Sequence, residues 1–82
     1  MREVPVPTLE ELAELRTLCE HLVDGMITQQ EFITDILRLR HFNTDGARGI
    51  ADRLTEGRTT PDDVVEVTEK IWKEVAANAF ID

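Results

Sequence analysis

The side chains that could carry out chemistry in this 82-residue chain are few and scattered: one cysteine and two histidines, with no serine and no tyrosine. Cys19, His21 and His41 do not supply the three or four ligands at local spacing that a closed zinc site needs. Cys19 lies on an apolar helical stripe, where a thiol is more often a small core residue than a nucleophile. No glycine-rich phosphate loop occurs. We therefore expect a protein that is not an enzyme, with no catalytic residue, metal site or cofactor.

Residues 20–32 resemble the second half of an EF-hand calcium loop. Gly25 would be the turn glycine and Glu31 the final bidentate ligand, but Leu22 stands where the family has an oxygen ligand. The resemblance implies a degenerate calcium-binding module. An alternative interpretation explains the same residues as a helix that ends at Gly25, followed by a helix that begins with a Thr28–Glu31 capping box.

Helix start and stop signals divide the chain into four amphipathic helices. Threonines followed three residues later by an acid predict helix starts, and glycines after apolar stripes predict helix ends. The third helix has two glycines near its start and few large apolar residues, so it is the weakest element. The sequence thus predicts an all-α, compact four-helix bundle with a short or irregular third helix. The helices are expected to begin after Thr8, after Thr28, near Ala47 and after Thr60, and to end at Gly25, near Arg40 and His41, at Gly57 and near Ala79.

Helices 1, 2 and 4 are expected to do most of the packing. The buried side of the fourth helix is predicted to contain Val64, Val65, Thr68, Ile71, Trp72, Val75 and Ala79.

The domain organisation is simple. Residues 1–7 contain two prolines and are predicted to form an extended tail, and residues 8–82 a single helical domain. No run of about 18 apolar residues could cross a membrane, and the first residues lack the apolar region of a signal peptide. With a lone cysteine, these features predict a cytoplasmic protein that does not bind a membrane.

Charge gives the strongest indication of the partner class. Seventeen acids and nine bases give a net charge of −8, which opposes direct binding to a nucleic-acid backbone. The chain carries −6 in residues 1–35, +2 in residues 36–58 and −4 in residues 59–82. A helix-turn-helix is disfavoured because acidic helices flank the basic middle. This charge has two interpretations: a solvated acidic surface that keeps a small protein soluble, or complementarity to a basic partner protein. The basic residues are Arg38, Arg40, Arg48, Arg53 and Arg58.

Three segments of this acidic four-helix chain resemble the colicin- and pyocin-type immunity proteins, which inhibit bacteriocin nucleases. One difference is that residues 51–53 read Ala-Asp-Arg, where that family has two tyrosines and a proline. The resembling segments are Thr8-Leu9-Glu10-Glu11-Leu12; His41 with Asp45-Gly46 and Ile50; and Thr60-Pro61 with Val64-Val65 and Trp72.

The resemblance implies a small acidic inhibitor that neutralises a basic nuclease or nucleic-acid-binding protein by occluding its surface. Glu31, Asp35, Asp45 and Asp52 would face the partner, and Phe42 would supply an apolar contact or instead cap a helix end against the core. A phage-encoded inhibitor would use the same physics.

A competing hypothesis is a structural module: either a bundle that self-associates, for instance as a homodimer through helix 4, or a small subunit that completes a larger assembly. The apolar residues of helix 4 spread wider than one core-facing stripe requires. Apolar residues of helix 4 that the core leaves exposed, especially Trp72 or the Phe80–Ile81 tail, would mark an interface.

Overall fold

The computed structural model describes residues 7–39 and 42–79, and this part of the chain is all-α. None of its helices is long and apolar enough to span a bilayer. The all-α four-helix prediction is confirmed. The predictions for residues 1–6, for the end of the second helix at Arg40 and His41, and for the Phe80–Ile81 tail lie outside the described residues. The four helices are α1 (Leu9–Val23), α2 (Gln29–Leu37), α3 (Thr44–Thr55) and α4 (Pro61–Ala79).

Side-chain caps start the helices as the sequence predicts. The Thr28 hydroxyl accepts a hydrogen bond from the Glu31 amide, and Glu31 Oε1 accepts one from the Thr28 amide, both at 3.1 Å. The same reciprocal box, with the same distances, starts α1 at Thr8. At α4 the Thr60 hydroxyl accepts from the Asp63 amide at 3.2 Å. These bonds satisfy amides that have no partner within the helix.

Left-handed glycines end two of the helices. Gly25, after α1, has φ 75°, a conformation that strains any residue with a Cβ. Its amide donates to Leu22 O at 3.2 Å, and the Met26 amide donates to His21 O at 2.8 Å. This pair of bonds is a Schellman motif, and an equivalent pair follows α3 around Gly57.

The third helix is longer and more regular than the sequence predicts. It starts at Thr44, three residues before the expected Ala47, because Asn43 Oδ1 accepts from the Gly46 amide at 2.7 Å and caps the helix. It has 12 residues, whereas α2 has nine. Gly46 lies in the first turn, where a glycine disturbs few intrahelical bonds. The short element of the bundle is therefore α2.

The core lies among α1, α2 and α3, so the expectation that helices 1, 2 and 4 dominate the packing is wrong. Phe32 and Ile36 of α2 are fully buried against Ala47 and Ala51 of α3, and each of the four has 0% exposure. The two alanines are small enough to let α3 approach α2 closely. The sequence prediction weighted large apolar residues and missed this contribution. In the described part of the chain α4 adds one buried residue, Val64, to the central cluster, and the partly buried Val65 packs against it.

The fourth helix packs against α1 and then runs past it. Asp62 Oδ1 lies 3.0 Å from Arg16 Nη2, at the centre of α1. Seven residues of α1 lie on either side of Arg16, whereas seventeen residues of α4 follow Asp62. At 1.5 Å per residue, α4 extends roughly 15 Å beyond α1.

Because α4 extends beyond α1, part of its predicted buried face is exposed. Val64 and Thr68 are buried, and Val65 and Trp72 are partly buried. Two residues expected to be buried, Ile71 and Val75, are instead 51% and 43% exposed. They lie where α1 no longer covers α4.

Replacing a buried alanine of α3 should strain the α2–α3 contact. We expect Ala51→Leu to lower the free energy of unfolding by about 1–3 kcal/mol, because the added methylenes must displace fully packed neighbours. Ala13→Leu, on the exposed side of α1, is the matched control and should change it by less than about 0.5 kcal/mol. Chemical denaturation of the two variants makes the comparison. Equal effects would show that α3 does not pack as described.

Candidate functional site

An open apolar groove separates α3 from α4. The two helices are joined by residues 56–60 but make little direct contact, since α3 packs on α2 and α1 whereas α4 packs on α1. The groove has a volume of about 320 Å³. Its apolar lining consists of Phe42 and Ile50 on the α3 side and Val64, Val67, Ile71, Trp72 and Val75 on the α4 side.

Helical spacing explains why each wall is available. On α3, the residues that face α2 leave Gly46, Ile50 and Arg53 on the neighbouring side, one turn apart. On α4, Val67, Ile71 and Val75 recur every four residues and so form one row. We call these three residues the α4 stripe; they are 54%, 51% and 43% exposed. Large aliphatic side chains in a contiguous exposed row are characteristic of binding surfaces.

Arg53 and Asp63 are the charged residues of the lining. Arg53 Nε donates to Gly49 O at 3.1 Å, which holds the base of the guanidinium along α3. Neither Arg53 nor Asp63 forms an ion pair with another described residue. The α3 wall therefore presents one positive charge to an occupant of the groove, and the α4 wall presents one negative charge.

The structure separates the five predicted partner-binding residues. Phe42 lies on the groove and also packs against the core cluster, so it fits both roles considered for it. Glu31, Asp35, Asp45 and Asp52 do not line the groove. Glu31 and Asp35 lie one turn apart on α2, and Asp45 and Asp52 are exposed on α3, seven residues apart and hence on one side of that helix.

Local interactions already involve the α2 carboxylates. Glu31 closes the capping box of α2 through Oε1. Asp35 is partly buried, and its Oδ1 lies 4.0 Å from Arg38 Nη1, too far for a hydrogen bond. The exposed carboxylates of α3 are balanced, because Asp45 and Asp52 share that helix with Arg48 and Arg53. This face is therefore less acidic than its four carboxylates alone suggest.

The acidic surface lies on α1 and α4 instead. Helix α1 has four carboxylates and one arginine, and α4 has five carboxylates and two lysines, so each carries −3 with histidine neutral. The α4 wall of the groove therefore belongs to an acidic helix, whereas the α3 wall belongs to a neutral one.

No protein-family model, curated protein or solved structure matches this chain. The resemblance to immunity proteins thus depends on the quoted residues and stays a prediction.

The segment that resembles an EF-hand forms the end of α1 and the start of α2. Gly25 belongs to the Schellman motif of α1, and Glu31 caps α2. Within residues 7–39 and 42–79, no three His, Cys, Asp or Glu side chains come together in a group that could hold a metal ion.

The Cys19 thiol lies in the core with 0% exposure, which confirms its predicted structural position. Burial raises the pKa of Cys19 from 9.0 to about 12, and the negative charge of Glu20 adds to the rise. The thiol is protonated at neutral pH and is a poor nucleophile.

The Glu31 side chain should matter to stability through its cap. We expect Glu31→Lys to lower the free energy of unfolding by about 0.5–1 kcal/mol, because lysine cannot accept the Thr28 amide. Glu31→Gln removes the same negative charge but keeps an acceptor, and should stay within about 0.3 kcal/mol of the parent. Urea denaturation distinguishes the two variants, and equal losses would contradict the capping role. Any test of charge on this face should therefore use glutamine.

The buried thiol should make stability fall in alkali. Since its pKa is raised on folding, its contribution is complete below pH 9 and is lost as pH rises towards 12, because unfolding then releases a proton. Cys19→Ala lacks this contribution but keeps every lysine and arginine. The difference in unfolding free energy between parent and variant should therefore shrink between pH 9 and 12. A difference that is constant with pH would contradict the assignment.

Proposed function

We propose that this chain is a non-catalytic binding protein that holds an apolar segment of a partner protein in the α3/α4 groove and neutralises the partner by occluding its surface. The observation that carries the proposal is the half-exposed α4 stripe, which faces α3 across an open groove.

The stripe contains three of the seven large apolar residues that folding leaves exposed in the described chain. Each of its three aliphatic side chains has about half of its surface in water. Since complete burial of such a side chain is worth about 1.5–3 kcal/mol, covering the exposed halves would contribute roughly 3 kcal/mol in total. Phe42 and Trp72 add aromatic surface beside the stripe. Tryptophan is one of the residue types enriched at the energetic centre of interfaces.

Charge indicates a basic partner. A net charge of −8 speeds the encounter with a basic surface and disfavours acidic competitors. Inhibition then requires no chemistry, because a bound acidic protein covers the surface that its partner would present to nucleic acid. The nuclease-immunity and phage-inhibitor interpretations are both forms of this function.

A second candidate is self-association through α4. The observation that favours it is the position of the stripe on the outermost helix, which extends past α1 and contacts no other helix extensively. A second copy could cover the same residues.

Site-specific photo-crosslinking in the source cells tests where the partner binds. We expect Val67→p-benzoylphenylalanine to give an adduct with another protein, because this residue lies on the groove and is 54% exposed. The same photoreactive group at Thr17, on the exposed side of α1, should give no such adduct.

Two other outcomes would change the conclusion. An adduct of twice the 9.4 kDa chain mass at Val67 would favour self-association. Adducts at Asp52, in a third variant, with none at Val67, would overturn the groove and favour the α2–α3 carboxylates.

A further inference from the structure

Resting on the proposed function, we infer that the occupant of the groove is a basic amphipathic α-helix of the partner protein.

The shape of the groove fits a helix. The α4 stripe covers eight residues of rise, about 12 Å, which corresponds to a little over two helical turns. Opposite it, Gly46, Ile50 and Arg53 form a second row along α3. Two helical ridges with an apolar trough between them bind an amphipathic helix through residues spaced i, i+4 and i+7. The docked helix would supply the packing that α3 and α4 do not give each other.

An extended peptide fits less well. It would need hydrogen-bond partners for its own amides and carbonyls, which an exposed strand edge normally supplies. The described chain has helices and connections but no strand. A helix satisfies its backbone internally and needs only side-chain contacts from the groove.

The charges of α4 indicate which charge the occupant carries on the edge beside that helix. Two of the five α4 carboxylates are paired: Asp62 with Arg16, and Glu69 with Lys73. Three carboxylates and one lysine of α4 form no ion pair within the described residues: Asp63, Glu66, Glu74 and Lys70. Asp63 lines the groove, and the four residues together carry −2, so α4 favours a basic edge on the occupant, whereas Arg53 favours an acidic or neutral residue on the edge beside α3.

A second copy of this chain is the weaker occupant. Stable homodimers bury about 800 Å² or more per partner, and three half-exposed aliphatic side chains provide only a fraction of that area. Pairing two α4 helices would also bring together six carboxylates and two lysines that have no ion pair within the described residues, a net charge of −4.

Designed helical peptides test the inference on the full chain. The probe has leucines at i, i+4 and i+7, lysines along one edge and alanines elsewhere; one matched peptide replaces its lysines by glutamates, and another its leucines by serines. Trp72 is the only tryptophan and lines the groove, so its fluorescence reports occupancy, with calorimetry as a second readout. We expect micromolar binding of the lysine peptide, at least about tenfold weaker binding of the glutamate peptide, and none of the serine peptide.

Variants locate the binding. Ile71→Gln should weaken the lysine peptide about tenfold, and Leu9→Gln, at a leucine that is even more exposed (83%) and lies outside the groove, should not. Glu74→Lys should weaken it about threefold and reduce its salt dependence, whereas Glu14→Lys on α1 should change little.

Each negative result has a distinct meaning. Equal binding of the lysine and glutamate peptides would overturn the basic character, and a lysine peptide that ignores Ile71→Gln would overturn the site. If Val67 crosslinks to a partner while no peptide binds, the groove stands as an interface and the helical occupant is wrong. If neither experiment gives a signal, the proposed function falls as well.

Discussion

Helix α4 is attached to the rest of the bundle through α1, and this attachment weakens about halfway along its length. Val64 and Thr68 are buried, whereas Ile71 and Val75 are about half exposed. The ion pair between Asp62 and Arg16 joins exposed side chains and is worth at most about 1 kcal/mol, so apolar contact supplies most of the attachment. The later turns of α4 extend beyond α1, and a gap separates them from α3. Their apolar residues therefore remain accessible. Unequal helix lengths thus account for the exposure of Ile71 and Val75, the last two residues of the α4 stripe.

The other three helices pack closely on one another. Phe32 of α2 fills the space between α1 and α3, and Ala47 and Ala51 allow the α2–α3 contact to be close. Gln29 Nε2 also donates to the Thr55 hydroxyl at 2.9 Å, which links the start of α2 to the end of α3. With no buried side-chain N or O atom unsatisfied in the described chain, this unit supports α4 as a stable platform. A binding surface on such a platform loses little entropy by ordering when it is filled.

The sequence predicts best what neighbouring residues decide. Capping boxes and left-handed glycines involve positions three to five residues apart, so Thr28 and Gly25 identify helix ends without knowledge of the fold. Tertiary contacts decide the rest. The start of α3 was predicted too late because asparagine is common both in turns and at helix N-caps, so Asn43 fits either role. The role of Ala51 was missed because its small size matters only once α2 lies beside it. Phe42 was the one predicted site residue placed on the groove, since an aromatic in a short connection must lie against some apolar surface.

Burial of Ile71 failed as a prediction for a different reason, and that reason bears on function. The helical spacing places Ile71 on the apolar face of α4. Spacing alone does not say whether the surface that covers this face belongs to the same chain. A wide apolar face on a helix means either that the fold covers it from two sides or that part of it waits for another molecule. Here α1 covers one side, and α3 stands apart on the other. The wide apolar face of α4 is therefore visible in the sequence, and only the packing of α1 could show which half is left for the proposed partner.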